Sequence, residues 1–226
     1  KIIVKKLKVV TRSEWYLPDY DEHFSEKLDN GMYQAKQRRF ALRSVKKYNI
    51  ALDIGSNIGF WSKPLCDQFQ KVVAFEPDEQ NNQCFKKNLR NYDNWQLEEF
   101  ALSDKTGIAE LYSDGENCGD LSFEYKHLKY KHKVKTKKLD EYINRFATNT
   151  VDFIKIDTQN HEYNVLKGGL KFLKNHEAVL CIELPRRSKE ELENAKKIKE
   201  LLKTIGYYLE VFQKKESIFV KEVKKK

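Results

Sequence analysis

From position 49 onward one pattern repeats along the chain: a short apolar run, a turn, then a stretch with apolar residues three and four steps apart. The runs Asn49–Ile54, Val72–Phe75, Trp95–Leu102, Val151–Ile156 and Ala178–Ile182 read as strands. Asp78 predicts a helix cap, with Cys84, Phe85 and Leu89 on one face up to about Arg90. A second helix is expected from about His161. A third carries Leu192, Ala195, Ile198, Leu201, Leu202 and Ile205 on one face and stops at Gly206. Ile108–Tyr112 and Lys133–Leu139 predict a strand pair around a loop with Gly115 and Gly119. Tyr207–Phe212 and Ser217–Val220 predict a closing hairpin. Strands that alternate with helices require a parallel sheet with helical crossovers. The expectation is an α/β, Rossmann-like domain over residues 48–226, with a mostly parallel seven-stranded sheet and a C-terminal antiparallel hairpin. Residues 1–47 are expected to form a helical segment, serving as a lid or a packing extension.

With 226 residues and no internal repeat, one domain with a sheet covered on both faces is the natural size. No run approaches the ~20 apolar residues of a membrane span. The four cysteines, Cys66, Cys84, Cys118 and Cys181, are scattered, without a Cys-x-x-Cys pair, so no metal site is expected. They read as reduced thiols of a cytoplasmic protein. The 43 Lys and Arg against 34 Asp and Glu give a net charge of +9, which leaves an anionic partner such as RNA open. Lysine is spread throughout, however, and part of the excess sits in the tail Lys221–Lys226.

Chemistry concentrates in Asp53-Ile-Gly55-Ser56-Asn57-Ile-Gly59, which ends a strand and opens a helix. Glycines there permit a tight turn and close ligand approach. A glycine-rich turn alone is shared with nicotinamide and flavin proteins. Asp53 separates the readings, because a carboxylate beside the turn repels a pyrophosphate and favours the ammonium of a methionine-like ligand. The carboxylate of such a ligand is expected to use free N–H groups at the helix start. Glu76, at the tip of the next strand, can accept hydrogen bonds from two ribose hydroxyls, and Pro77 ends that strand. At the third strand tip, Ala101 and Ser103 are candidates to flank an adenine, although Ser103-Asp104 also reads as a turn into Gly107.

Leu52–Gly59, Phe75-Glu-Pro77, Ala101–Gly107, Lys138-Leu-Asp140, Asp152–Asp157 with Glu162 and Val165–Gly168, and Ile182-Glu183 together resemble the FkbM family of methyltransferases, in order over roughly residues 48–184. The resemblance implies a class I fold, S-adenosylmethionine as donor, and transfer to an oxygen of a sugar or another small molecule. It implies cofactor binding by Asp53, Gly55, Asn57, Gly59 and Glu76, and places Lys155, Asp157 and Glu162 on the reaction side. One departure stands out. The family commonly has Asp-x-Glu-Gly-x-Glu after the fourth strand, whereas this chain has Asp157-Thr-Gln159-Asn160-His161-Glu162.

Methyl transfer from a sulfonium needs alignment and removal of the acceptor proton. Asp157 is the candidate base or orienting group, Lys155 shares its face of the strand, Glu183 ends the fifth strand, and His161 is a further catalytic candidate in place of the lost acid. Trp15, Tyr16, Tyr20, His23, Tyr33 and Arg38 are candidates for a lid or acceptor pocket. The expected acceptor is a hydroxyl of a glycan or small molecule. Three alternatives remain: an RNA ribose hydroxyl, drawing on Lys126–Lys138; a cofactor-binding module without turnover, because of Gln159 and Asn160; and a nicotinamide oxidoreductase, which Asp53 opposes. Oligomeric state is not read from the sequence.

Overall fold

The computed structural model describes residues 7–10, 15–24, 33–143, 151–213 and 215–221. Its centre is a seven-stranded sheet in the order β11-β12-β10-β9-β3-β4-β5. The parallel part comprises β3 (Ile50–Ile54), β4 (Lys71–Phe75), β5 (Trp95–Glu98), β9 (Val151–Ile156) and β10 (Val179–Glu183). The antiparallel part is the hairpin of β11 (Tyr207–Gln213) and β12 (Glu216–Lys221), with β12 paired to β10. The expected sheet and closing hairpin are both present.

Alternation along the strands divides the core into two layers. Leu52, Ile54, Val73, Phe75, Ile154, Ile156, Leu180 and Ile182 pack on one face. They meet Leu139 and Tyr142 of α4 (Leu139–Tyr142), Val165 and Leu166 of α5 (Glu162–Gly168), Phe172 of α6 (Leu170–Asn175), and Ala195, Ile198 and Leu202 of α7 (Lys189–Thr204). The intervening positions Ala51, Val72, Ala74, Phe153 and Cys181 pack on the other. There they meet Leu65 of α2 (Ser62–Cys66) and Cys84 and Phe85 of α3 (Glu79–Asn88). Since side chains alternate every residue, runs buried on both faces are mostly apolar, which is why they stand out in the sequence. Asp78 caps α3 as expected, accepting from the Asn81 N–H at 2.9 Å.

Two expectations differ from the structure. Trp95–Leu102 is not one strand: β5 ends at Glu98, and β6 (Ala101–Leu102) pairs instead with β8 (Tyr130–Lys137). The chain breaks there because Phe100 turns into the core against Phe75 and Tyr142, with ring centroids 5.8 Å away in both cases. The strands β6, β8 and β7 (Gly107–Ser113) form a separate three-stranded sheet. The N-terminal part is not only helical. β1 (Leu7–Val10) and β2 (Trp15–Pro18) form an antiparallel ribbon before the seven-residue helix α1 (Ala35–Ala41). The Asn88 side chain of α3 stands in for a neighbouring strand, accepting from the Tyr16 N–H at 2.7 Å and donating to its carbonyl at 3.1 Å.

Two glycines are required for opposite reasons. A Cβ on Gly168, at the end of α5, would lie 2.0 Å from the Ser103 carbonyl oxygen. Gly206 has open space around it but a φ of +86°, which stops α7 before β11. Gly206→Ala is expected to cost about 1–2 kcal/mol as backbone strain. Gly168→Ala should cost about 3 kcal/mol, since the obstacle is backbone rather than a side chain that can swing away. Urea unfolding of both variants tests the order, and equal costs would contradict it.

Candidate active site

Sheet order reverses between β3 and β9: the chain runs outward through β4 and β5 on one side and through β10 on the other. Ligands in such sheets bind beyond the carboxyl ends of the strands at that reversal. A cleft of about 970 Å³ opens there, lined by the tips of β3, β4, β9 and β10 and by the loop between β7 and β8.

On the β3–β4 side, Gly55 has φ +78°, and a Cβ there would stand 1.9 Å from the Asp157 carbonyl oxygen. The loop is therefore clamped to the exit of β9, whose Asp157 N–H donates to the Ile54 carbonyl at 3.0 Å. Gly55 and Ser56 both donate to the Phe75 carbonyl, at 3.0 and 3.1 Å, and Gly59 donates to the Ser56 carbonyl at 2.9 Å. The Asn57 N–H donates to Glu76 Oε2 at 2.9 Å, and the Ile58 N–H to Asn57 Oδ1 at 2.6 Å. The expected free N–H groups are thus absent from residues 55–59, because the loop consumes all five. Gly59 does not reach the cleft either. Its missing side chain makes room for Leu89, whose Cδ1 would stand 2.5 Å from a Cβ.

Glu76 is buried and lines the cleft. Its Oε1 accepts from the Asp78 N–H at 2.9 Å, so each oxygen holds one backbone donor and keeps further acceptor capacity. Burial, then the neighbouring Asp78, pushes its pKa up to about 8. Asp53, 1% exposed, accepts from the Ser62 hydroxyl at 2.6 Å, and burial raises it to about 6. Pro77, Ala101 and Leu102 line the neighbouring wall.

On the β9–β10 side, the wholly buried Lys155 sits opposite Asp53 in strand register. Its Nζ lies 3.2 Å from Asp157 Oδ2, 3.7 Å from Glu216 Oε2 and 5.1 Å from the Trp61 ring centre. Burial disfavours the ammonium, but Asp157 and Glu216 outweigh it, and the net shift is upward. Gln159 and Asn160 both adopt left-handed backbone, at φ +51° and +74°. Asparagine tolerates that conformation better than most side chains, which is how Asn160 can stand where the resembling family has glycine. Glu162 holds this loop: its Oε1 accepts the N–H groups of Thr158 at 2.9 Å and Asn160 at 3.2 Å. Burial raises Glu162 to about 7. Gln159 Nε2 donates to Asp157 Oδ1 at 3.3 Å.

Two candidates are turned away from this cleft. His161 Nε2 meets Ser103 Oγ at 2.9 Å and its Nδ1 meets Glu124 Oε1 at 2.8 Å. Both ring nitrogens are engaged, and His161 and Ser103 line a separate cavity of about 280 Å³ beside the β6–β8–β7 sheet. His161 and Ser103, expected on the catalytic side and the cofactor wall, thus pair with each other away from the cleft.

Of the N-terminal candidates, His23 and Tyr33 reach the cleft. Trp15 packs on Phe60, Tyr16 lies beneath Lys87 and Arg90, and Arg38 donates to the Tyr33 and Phe60 carbonyls. Phe24, Gln34, Asn81 and the loop around Cys118 also line the cleft and carried no sequence signal. That loop is tied down by Asn57 Nδ2 and Asn81 Nδ2, which both donate to the Cys118 carbonyl. Glu216 was missed as well. Only the register of the closing hairpin brings it to Lys155.

The lining carries seven carboxyl groups (Asp53, Glu76, Asp114, Asp120, Asp157, Glu162 and Glu183) and three permanent cations (Lys155, Arg187 and Lys215) among the described residues. Each cation is already paired: Lys155 as above, Lys215 with Glu183, and Arg187 with Glu191 at 2.8 Å. Five buried polar atoms on the lining have no hydrogen-bond partner among the described residues: Ser56 Oγ, Asn81 Oδ1, Asn160 Oδ1, Glu162 Oε2 and Glu183 Oε2. No group of acids, histidines or cysteines among the described residues is arranged to hold a metal, and no described helix is long and apolar enough to cross a membrane.

This sheet order, with its cleft at the reversal, is the class I methyltransferase fold. The Methyltransferase FkbM domain matches residues 53–209, and the chain belongs to that family. The 2-O-methyltransferase NoeI of Sinorhizobium fredii (strain NBRC 101917 / NGR234) is 28% identical over 142 residues, which cover 55% of this chain and 58% of NoeI. The structure of methyltransferase FkbM from Methylobacillus flagellatus KT aligns with a TM-score of 0.54 at 16% identity, covering 93% of this chain and 56% of that one. SMU.1697c of Streptococcus mutans, solved in complex with SAH, aligns with a TM-score of 0.50 at 15% identity, covering 82% and 94%. The matches thus span less than two thirds of NoeI and of the Methylobacillus protein.

Because burial raises Glu76, Glu162 and Asp53, the folded chain holds protons that the unfolded chain releases. Unfolding free energy should therefore fall as pH rises from the ordinary carboxyl values, 4.5 for Glu76, to the raised value of about 8. Glu76→Gln should flatten the upper part of that decline. Urea midpoints between pH 5 and 8.5 test it, and identical slopes in both proteins would refute the assignment.

Proposed function

We propose that this chain is an S-adenosylmethionine-dependent O-methyltransferase acting on a hydroxyl of a sugar, glycan or other small molecule. The observation that carries the reading is the pair of buried carboxyl groups, Glu76 and Asp53, on adjacent strand tips beside a glycine turn, within an FkbM-family chain. The donor fits the residues present. Glu76 retains acceptor capacity for two ribose hydroxyls, Asp53 supplies negative charge for a cation, and Ser56 Oγ and Asn81 Oδ1 are buried without partners among the described residues. Gly55, Asn57, Pro77 and Ala101 complete that half of the wall. When bound, S-adenosylmethionine supplies a methyl group already activated on a sulfonium.

The chain's own residues then orient the acceptor and remove a proton. Asp157 keeps Oδ2 on Lys155 Nζ and takes the hydroxyl proton at Oδ1, which Gln159 steadies through its amide. Lys155 holds the Asp157 side chain in place through their ion pair. Glu162 acts as a positioning residue, fixing the loop that follows Asp157. An RNA acceptor rests on the exposed lysines 131, 133 and 135 of β8, but the carboxyl-lined cleft repels a polyanion.

S-adenosylhomocysteine should bind in calorimetry, and Glu76→Gln should weaken it roughly ten- to a hundredfold, the weight of two hydrogen bonds of ordinary strength. With an acceptor found by screening sugars, glycans and RNA with methyl-labelled donor, Asp157→Asn should lower kcat roughly 10²- to 10⁴-fold and leave S-adenosylhomocysteine affinity within about twofold. Absence of nucleoside binding, or wild-type turnover in Asp157→Asn, would overturn the reading.

A further inference from the structure

We infer that the acceptor carries a protonated amine beside the hydroxyl that receives the methyl group, as an amino sugar or amino polyol does. This rests on the methyltransferase reading and narrows its acceptor. The starting point is a set of unmet acceptors. Glu183, at the tip of β10, is 5% exposed; its Oε1 is taken by Lys215, while Oε2 is buried with no hydrogen-bond partner among the described residues. Glu162 is 1% exposed; its Oε1 is spent on the loop N–H groups and its Oε2 likewise has no partner. Asn160 Oδ1 is the third such atom, and all three line the cleft on the Asp157 side. Buried acceptors of this kind call for donors from a ligand.

Charge narrows the donor further. Even with the burial-raised Glu76 and Glu162 counted as neutral, carboxyl groups on the described lining outnumber cations five to three, and every cation is already paired. The methyl donor brings one net positive charge, which leaves an excess of negative charge on the acceptor side. A neutral polyol would satisfy hydrogen bonds and leave that excess, and a phosphate or carboxylate would add to it. An ammonium supplies three N–H donors and a compensating charge together. Placement agrees. Ile156 and Ile182 are register partners on parallel β9 and β10, so the next residues, Asp157 and Glu183, stand on strands about 4.8 Å apart. One small ring can thus offer its hydroxyl to Asp157 and its ammonium to Glu183.

The test uses protein saturated with S-adenosylhomocysteine at pH 7.5, where an alkyl amine is protonated. Three matched probes are titrated by calorimetry and ligand-observed NMR: 2-amino-2-deoxyglucitol, its N-acetyl derivative, and glucitol. The expected result is about a tenfold preference for the amine over both, shrinking to roughly threefold or less in Glu183→Gln, with S-adenosylhomocysteine affinity unchanged. Equal or tighter binding of the N-acetyl or parent polyol, no binding of any probe, or a preference untouched by Glu183→Gln would overturn the inference. Failure of S-adenosylhomocysteine itself to bind would instead remove the methyltransferase reading beneath it.

Discussion

An ammonium with no exposed surface lies at the meeting point of four strands. Lys155 of β9 faces Asp157 at the end of its own strand, Glu216 on β12, and Asp53 across the register on β3. Taking such a charge out of water is costly unless it is closely paired, so removing any one carboxyl would leave the others and the lysine poorly matched. The same interaction fixes geometry. It holds Asp157 at the reversal of strand order, joins the closing hairpin to the parallel strands, and brings the two halves of the cleft under one electrostatic constraint. The strand tips that form the cleft are consequently hard to move independently.

That constraint also explains the glycine at position 55. With Asp157 pulled toward β3, its carbonyl oxygen occupies the volume where a Cβ would stand. The usual account of such a glycine is ligand approach to the loop. Here the nearer cause is the neighbouring strand, and the loop's N–H groups are all turned inward to the Phe75 and Ser56 carbonyls, to Glu76 and to Asn57. Rigidity in this turn comes from hydrogen bonds within the protein, so the cleft wall beside it is made by side chains such as Glu76 and Ser56.

The parallel sheet was legible because strands buried on both faces are apolar at most positions, and the buried charged exceptions in Asn49–Ile54 and Val151–Ile156, Asp53 and Lys155, fall near the strand tips. The break at Phe100 was not legible, since an aromatic residue turning into the core looks the same in sequence as one continuing a strand. The ribbon of β1 and β2 was hidden for a related reason: β2 finds part of its pairing in the Asn88 side chain, a partner no strand pattern announces. Of the residues that line the cleft, those set by local motifs could be read, namely Asp53, Gly55, Asn57, Glu76 and Asp157. Residues set by register or by distant loops could not. Glu216 reaches Lys155 only through the hairpin, and Asn81 and Phe24 reach the cleft only through the packing of α3 and the N-terminal segment. The placement of His161 was not legible, because a histidine beside such a loop has two faces to choose from, and the hydroxyl of Ser103 and the carboxyl of Glu124 hold it on the far one.

Net charge does not describe the cleft, for a similar physical reason. The chain carries +9 overall, yet its cleft is lined by more carboxyl groups than cations. The two facts are compatible because an exposed lysine is held in solvent and screened within roughly 8–10 Å at physiological salt, whereas a buried carboxyl is not. Lys131, Lys133 and Lys135 lie on an exposed strand face, while Asp53, Glu76, Glu162 and Glu183 are buried in low-dielectric surroundings where a charge acts over a longer range. A composition average weights the two populations equally. A ligand entering the cleft does not, and its chemistry answers to the few carboxyl groups it displaces water from.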